Sequence, residues 1–194
     1  MTTVATIEKN AAVVPKRFNV EEFRKMTEVG ILPEESGWEV IDGYLIDKMS
    51  IGSKHASTVK RLNRIFTNLV GNEAIISIQD PIRVDEYNEP EPDVALLKSR
   101  KDFYAESHPT PQDVLLLIEV SDSTVEFDRE IKKTLYAKAE VAEFWLVNLK
   151  ENTVECYSSP KNGNYRLAKI LEKGKTIKSE TIEKLTLQVE EILG

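Results

Sequence analysis

The run from Val114 to Val120, VLLLIEV, constrains this chain more than any other stretch. It is far too short to cross a bilayer, which takes roughly 20 apolar residues. It also lacks the alternation of a strand with one wet face, so it reads as a central strand covered on both sides. Such a strand needs a helical layer above and below, and the sequence offers both. Val59, Leu62, Ile65, Phe66 and Leu69 recur at helical spacing after Ser53, until Gly71-Asn72 closes the segment. Glu126 to Glu140 is a second amphipathic stretch, expected to bury Ile131, Leu135 and Ala139.

The remaining elements fill in an α/β architecture. Residues 1–18 read as an arm without a clear period. Asn19, with Glu22 three positions on, predicts a capped helix from Val20 to Glu28, ended by Gly30 and Pro33. Glu39 to Lys48 alternates around Asp42-Gly43, as two strands joined by a tight turn. Strands are further expected at Ala74–Ile78, Ile82–Val84, Asp93–Leu97 and Phe144–Leu149. An antiparallel pair, Thr153–Tyr157 with Tyr165–Ile170, flanks Pro160 to Gly163, and short elements follow at Thr176–Lys178 and Leu185–Leu193. Together they predict one domain over 19–194, a mixed sheet flanked by helices.

Charge and cysteine content narrow the function classes. The formal net charge is −7, which argues against a surface devoted to phosphate neutralisation while leaving room for a locally basic face. A single cysteine, Cys156, rules out an internal disulfide and a cysteine-rich zinc site. The start MTTVATIEKN carries Glu8 and no long apolar stretch, so a cytoplasmic protein without membrane attachment is expected.

Two acids stand where chemistry is plausible. Asp93 opens an apolar strand directly after Pro92, and Glu119 comes where VLLLI gives way to Ser121, Asp122, Ser123 and Thr124. On neighbouring strands both carboxylates would emerge at one sheet edge. Hard oxygen donors of this kind suit Mg²⁺, or Mn²⁺ in its place, with the Val120 carbonyl as a further ligand. The plainer alternative is a turn-capping Asp93 and a surface Glu119. A charge at the end of so apolar a run is costly to bury unless something pairs with it. Ser121 occupies the position of an acid-x-lysine strand motif, so any lysine must come from the following helix, where Lys132 lies four residues before Tyr136. Spacing alone favours a solvated helix charge at Lys132.

The segments WEVIDGYLIDKMS, KHASTVKRLNRIF, EPEPDVALL, LLLIEVSDST and DREIKKTLYAKAEVAEFWLVN, in this order, resemble a large bacterial family of restriction-endonuclease-like proteins with a PD-(D/E)XK fold. The resemblance runs from about residue 20 to the C-terminus. It implies that Asp93 is the first metal-binding aspartate, Glu119 the second acid, and Lys132 the motif lysine displaced from strand to helix. Glu39 is implied as an additional acid, and His55 and Gln79 match residues of the family near the aspartate. The sequence departs from the family pattern at Tyr44, where a glutamate is usual, at Asn148, for aspartate, and at Glu140, for glycine.

The activity so implied is Mg²⁺-dependent hydrolysis of phosphodiester bonds in DNA, with a homodimer supplying two sites. Two alternatives are a catalytically silent module that keeps the fold, and a metal-dependent hydrolase of a smaller phosphoester. His55 is expected either as a base beside the metal or as a helix-start residue bonded to a neighbouring loop or carboxylate. His108 reads as a surface loop residue, and Lys54, Lys60, Arg61 and Arg64 as either phosphate contacts or a solvated helix face.

Overall fold

The computed structural model describes residues 14–33, 37–48 and 52–194, in two compact units: Met1–Met49 with Asp85–Pro90, and Ser50–Val84 with Glu91–Gly194. The expected arm therefore lies, over its first thirteen residues, outside the described residues.

The first unit contains helix α1 (Val20–Glu28) and the antiparallel strands β1 (Trp38–Ile41) and β2 (Tyr44–Asp47). The capping box forms as the sequence predicts: the Glu22 N–H donates to Asn19 Oδ1 at 2.8 Å, and the Asn19 N–H to Glu22 Oε2 at 2.9 Å. Asp42 and Gly43 take φ of 51° and 74°, the paired left-handed conformation of a tight hairpin turn. Glu39 lies in this unit, buried on β1 opposite Ile46. The buried Glu89 is neutralised there by Arg24, whose Nη2 donates at 2.6 Å.

The second unit begins with α2 (Ser53–Val70) and holds a six-stranded sheet. Its strands are β3 (Ala74–Ser77), β4 (Val94–Lys98), β5 (Val114–Ser121), β6 (Glu143–Asn148), β7 (Thr153–Lys161) and β8 (Asn164–Glu172), adjacent in that order. Only β5 and β6 run parallel. A parallel pair needs a crossover, and residues 125–138 supply a helical one. A two-stranded ribbon, β9 (Thr176–Lys178) with β10 (Thr186–Gln188), leads into a last short helix, Val189–Leu193.

The apolar run of β5 is covered on both faces, as expected. On one face Leu116, Ile118 and Val120 pack with Trp145, Val147 and the α2 residues Leu62 and Phe66. On the other, Leu117 packs with Phe144, Leu146, Val125 and Tyr136.

Two expectations fail. Ile82–Val84 forms no strand: Ile82 is fully buried, but Pro81 has no N–H to give a ladder, and the Arg83 N–H instead donates to the Pro109 carbonyl. The crossover is no uniform amphipathic helix either. It runs as α3 (Val125–Phe127), a π-helical turn (Asp128–Lys132) and α4 (Lys133–Lys138). Ile131, expected inside, is 46% exposed, and Asp128, Lys132 and Tyr136 are buried in its place. The sheet beneath carries Glu119 and Ser121 on this face, so polar partners outcompete an apolar stripe. Glu140, where the related pattern has glycine, takes φ of 60°, a conformation that favours glycine.

Candidate active site

Strand alternation puts Glu119 and Ser121 on the opposite face from Ile118 and Val120. The β4–β5 register pairs Val94 with Ile118, which brings Asp93 level with Glu119 one step beyond the last ladder pair. There the strand has ended and its hydrogen-bonding role passes to a side chain: the Val120 N–H donates to Asp93 Oδ2 at 2.8 Å. The two acids thus lie together at the end of β5, as their sequence positions predict.

Asp93 is 7% exposed and bound on both oxygens. His55 Nε2, from the first turn of α2, lies 3.0 Å from Oδ2, and Gln79 Nε2 donates to Oδ1 at 3.2 Å. Gln79 reaches it from a strained turn with φ of 57°, closed by Ser77 Oγ donating to Asp80 at 2.7 Å. Burial alone would raise the Asp93 pKa; the His55 contact, with the Val120 N–H and the charge of Lys132, outweighs it and holds the carboxyl below its ordinary 3.8.

Glu119 is 3% exposed and receives two donors on one oxygen. Lys132 Nζ lies 3.1 Å from Oε1, and the Tyr136 hydroxyl donates to the same atom at 2.6 Å. Spacing alone favoured a solvated charge here, but Lys132 is buried, with only 4% exposed, because it pairs with Glu119 beneath the helix. Asp128 completes the group. Its Oδ2 accepts from the hydroxyls of Ser121 and Thr124, and its Oδ1 lies 4.0 Å from Lys132 Nζ. Burial pushes the Asp128 carboxyl above 3.8 against the opposing pull of Lys132 and the two hydroxyls.

Glu119 and Asp128 thus flank the Lys132 ammonium, whose charge also acts on Asp93. Among the described residues, no three His, Cys, Asp or Glu side chains converge as a ready-made metal cage.

The sequence reading missed Asp128, Ser121 and Thr124 as members of the site. The available signal was Asp128, Lys132 and Tyr136 at intervals of four along one helix face. Arg129 extends the polar layer, forking onto Glu155 at 3.1 and 2.6 Å. Arg61 is tied to the C-terminal helix, its Nη1 donating to the Ile192 carbonyl at 2.5 Å. Lys54, Lys60 and Arg64 are exposed on α2, and His108 is exposed as expected. Burial pushes the Cys156 thiol up to about 12, which leaves it no nucleophile at neutral pH. No helix among the described residues is long and apolar enough to cross a membrane.

A family model, Uma2, described as "Putative restriction endonuclease", matches residues 20–190. No curated protein matches. Among solved structures, the chain is similar to one described as a "putative nuclease belonging to DUF820" from Anabaena variabilis. The two share 18% identity and a TM-score of 0.71, over 92% of this chain and 98% of that one. At that identity the likeness shows a shared fold.

Proposed function

The chain belongs to the Uma2 family of restriction-endonuclease-like proteins, and on that premise we propose that it is a divalent-metal-dependent endonuclease hydrolysing phosphodiester bonds of DNA. The observation that carries this reading is the burial of Lys132 against Glu119, level with Asp93 at the end of β5. A lysine and two acids in one buried group is a costly arrangement to keep for stability alone.

Asp93 and Glu119 are the side chains that would hold Mg²⁺, or Mn²⁺ as a substitute. The Val120 carbonyl leaves its strand on the same side as the N–H bound to Asp93, which supports it as a third protein ligand. When bound, such an ion polarises the scissile phosphate and lowers the pKa of a water.

The chain's own groups do the rest. Tyr136 fixes the rotation of the Glu119 carboxylate through its 2.6 Å hydrogen bond. Lys132 supplies the positive charge that offsets charge growing on the phosphoryl oxygens, and its three N–H donors orient the attacking oxygen. His55 and Gln79 hold Asp93 in one orientation, and the His55 contact keeps it ionised at neutral pH.

Cutting both strands of a duplex asks for two sites, and a two-fold homodimer supplies them. The reading places the protein with its DNA in the cytoplasm. A nicking assay on supercoiled plasmid tests the activity. Wild-type protein is expected to nick with Mg²⁺ or Mn²⁺ and not with EDTA, and Asp93→Ala to lose the activity. Equal activity in wild type and Asp93→Ala would overturn the reading.

A further inference from the structure

Helix α2 carries no acid. Its 18 residues include Lys54, Lys60, Arg61 and Arg64 but no aspartate or glutamate, in a chain with 33 acids and a net charge of −7. Helix α1 has three acids in nine residues, and the last helix has two in five. Every exposed residue of α2 is basic or a neutral hydrogen-bonding one. Ser57, Lys60, Arg64 and Thr67 recur every three or four residues along the solvent side. A helix face that is merely solvated usually mixes signs and gains from acid–base pairs one turn apart. On α2 no such pair can form.

The surroundings do not restore the balance. Among the described residues, the side chains of Lys54, Lys60 and Arg64 make no ion pair or hydrogen bond. Glu73 precedes β3, and Glu190 and Glu191 lie on the last helix; both elements pack against α2. These acids are committed elsewhere, Glu73 to Lys184, Glu190 to the Gly174 N–H and Glu191 to the Gln188 N–H. Helix stability does not explain the pattern either. The first turn is the positive end of the helix dipole and favours acids, yet it holds Lys54, and Gly52 gives it no capping side chain. That end is also the one at the site, because the next residue, His55, lies 3.0 Å from Asp93.

We propose that the outer face of α2, through Lys54, Lys60 and Arg64, binds the sugar–phosphate backbone of DNA beside the bond to be cut. The inference rests on the reading of the Asp93 and Glu119 group as a DNA-cleaving site, and names the surface that holds the substrate there. At a rise of about 1.5 Å per residue, the three cations span roughly 15 Å of the helix axis, starting next to His55. A DNA strand carries one phosphate per roughly 3.4 Å of duplex axis, so each cation meets its own phosphate. Contacts of this kind position the duplex and do not read its sequence.

Fluorescence anisotropy of a short labelled DNA duplex, titrated with the full chain in EDTA at several NaCl concentrations, tests it. EDTA separates binding from cleavage. In the wild type the logarithm of the binding constant is expected to fall linearly with the logarithm of salt. Lys54→Gln, Lys60→Gln and Arg64→Gln are each expected to lower that slope by about 0.9, the value for one phosphate contact. Lys101→Gln removes an exposed lysine beyond the far end of β4 and is expected to leave the slope unchanged. Unfolding midpoints and the heat of Mn²⁺ binding stay as in the wild type in all four variants.

Wild-type slopes in the three α2 variants, or an equal drop in Lys101→Gln, would overturn the inference and leave the nuclease reading to its own nicking assay. A slope lost together with the Mn²⁺ heat would mean that the substitutions disturb the site itself, and would also overturn it. Absence of DNA binding by the wild type at every salt concentration would sink the DNA reading and this inference together.

Discussion

Glu119 and Glu143 are both buried carboxylates, on the two adjacent strands β5 and β6 that run parallel, yet they are held in different ways. Glu143 begins its strand. It accepts from Trp145 Nε1 at 2.8 Å, Ser179 Oγ at 2.7 Å, the Glu180 and Thr181 N–H groups at 2.9 and 3.1 Å, and Thr181 Oγ1 at 3.0 Å. Every donor is neutral, and three of the residues belong to the segment after β9, which Glu143 ties to the sheet. Glu119 comes near the end of its strand, and its contacts with Lys132 and Tyr136 meet at one oxygen. Neutral donors spread over both oxygens make a structural anchor. A buried ion pair with a lysine, beside a second acid, is the arrangement on which the proposed metal site rests. The carboxyl ends of strands are also where open α/β sheets bind ligands.

The contrast can be broken by removing one partner from each carboxylate and following unfolding in guanidinium chloride. Lys132→Ala leaves Glu119 and Asp128 buried without their shared cation, and is expected to cost about 3–5 kcal/mol. Ser179→Ala takes one donor of several from Glu143 and is expected to cost about 1 kcal/mol. Equal costs would mean that Glu119 is only a second anchor.

A smaller effect follows from pH. Asp93 has its pKa lowered below 3.8, so its contribution to stability is present above that value and is lost as pH falls through the lower folded pKa. The stability difference between wild type and Asp93→Asn is therefore expected to stay constant from neutrality to about pH 4 and to shrink only below it. A difference already shrinking at about pH 6 would mean that burial prevails over the His55 contact.

Most of the second unit's sheet was legible from sequence because its strands obey simple periods: the unbroken run of β5, and the turn at Asn162-Gly163, whose φ values of 53° and 74° close β7 on β8. The Asp93 and Glu119 positions were legible for a related reason, as charges at the borders of apolar strands. The role of Lys132 was not, because helical spacing is the same for a solvated lysine and a buried one. What buries it is the face of β5 beneath, and that depends on contacts between residues far apart in sequence. The same contacts defeated the choice of Ile131 as a core residue. Apolar patterning assumes that a helix covers an apolar surface, and here it covers Glu119 and Ser121.

The central claim is that Asp93 and Glu119 bind one divalent cation together. Calorimetric titration with Mn²⁺ tests it most directly, on wild type, Asp93→Asn and Glu119→Gln. One site per chain is predicted in the wild type, with heat lost in both variants while circular dichroism remains that of the folded protein. Absence of Mn²⁺ heat in the wild type, or its full retention in either variant, would contradict the account.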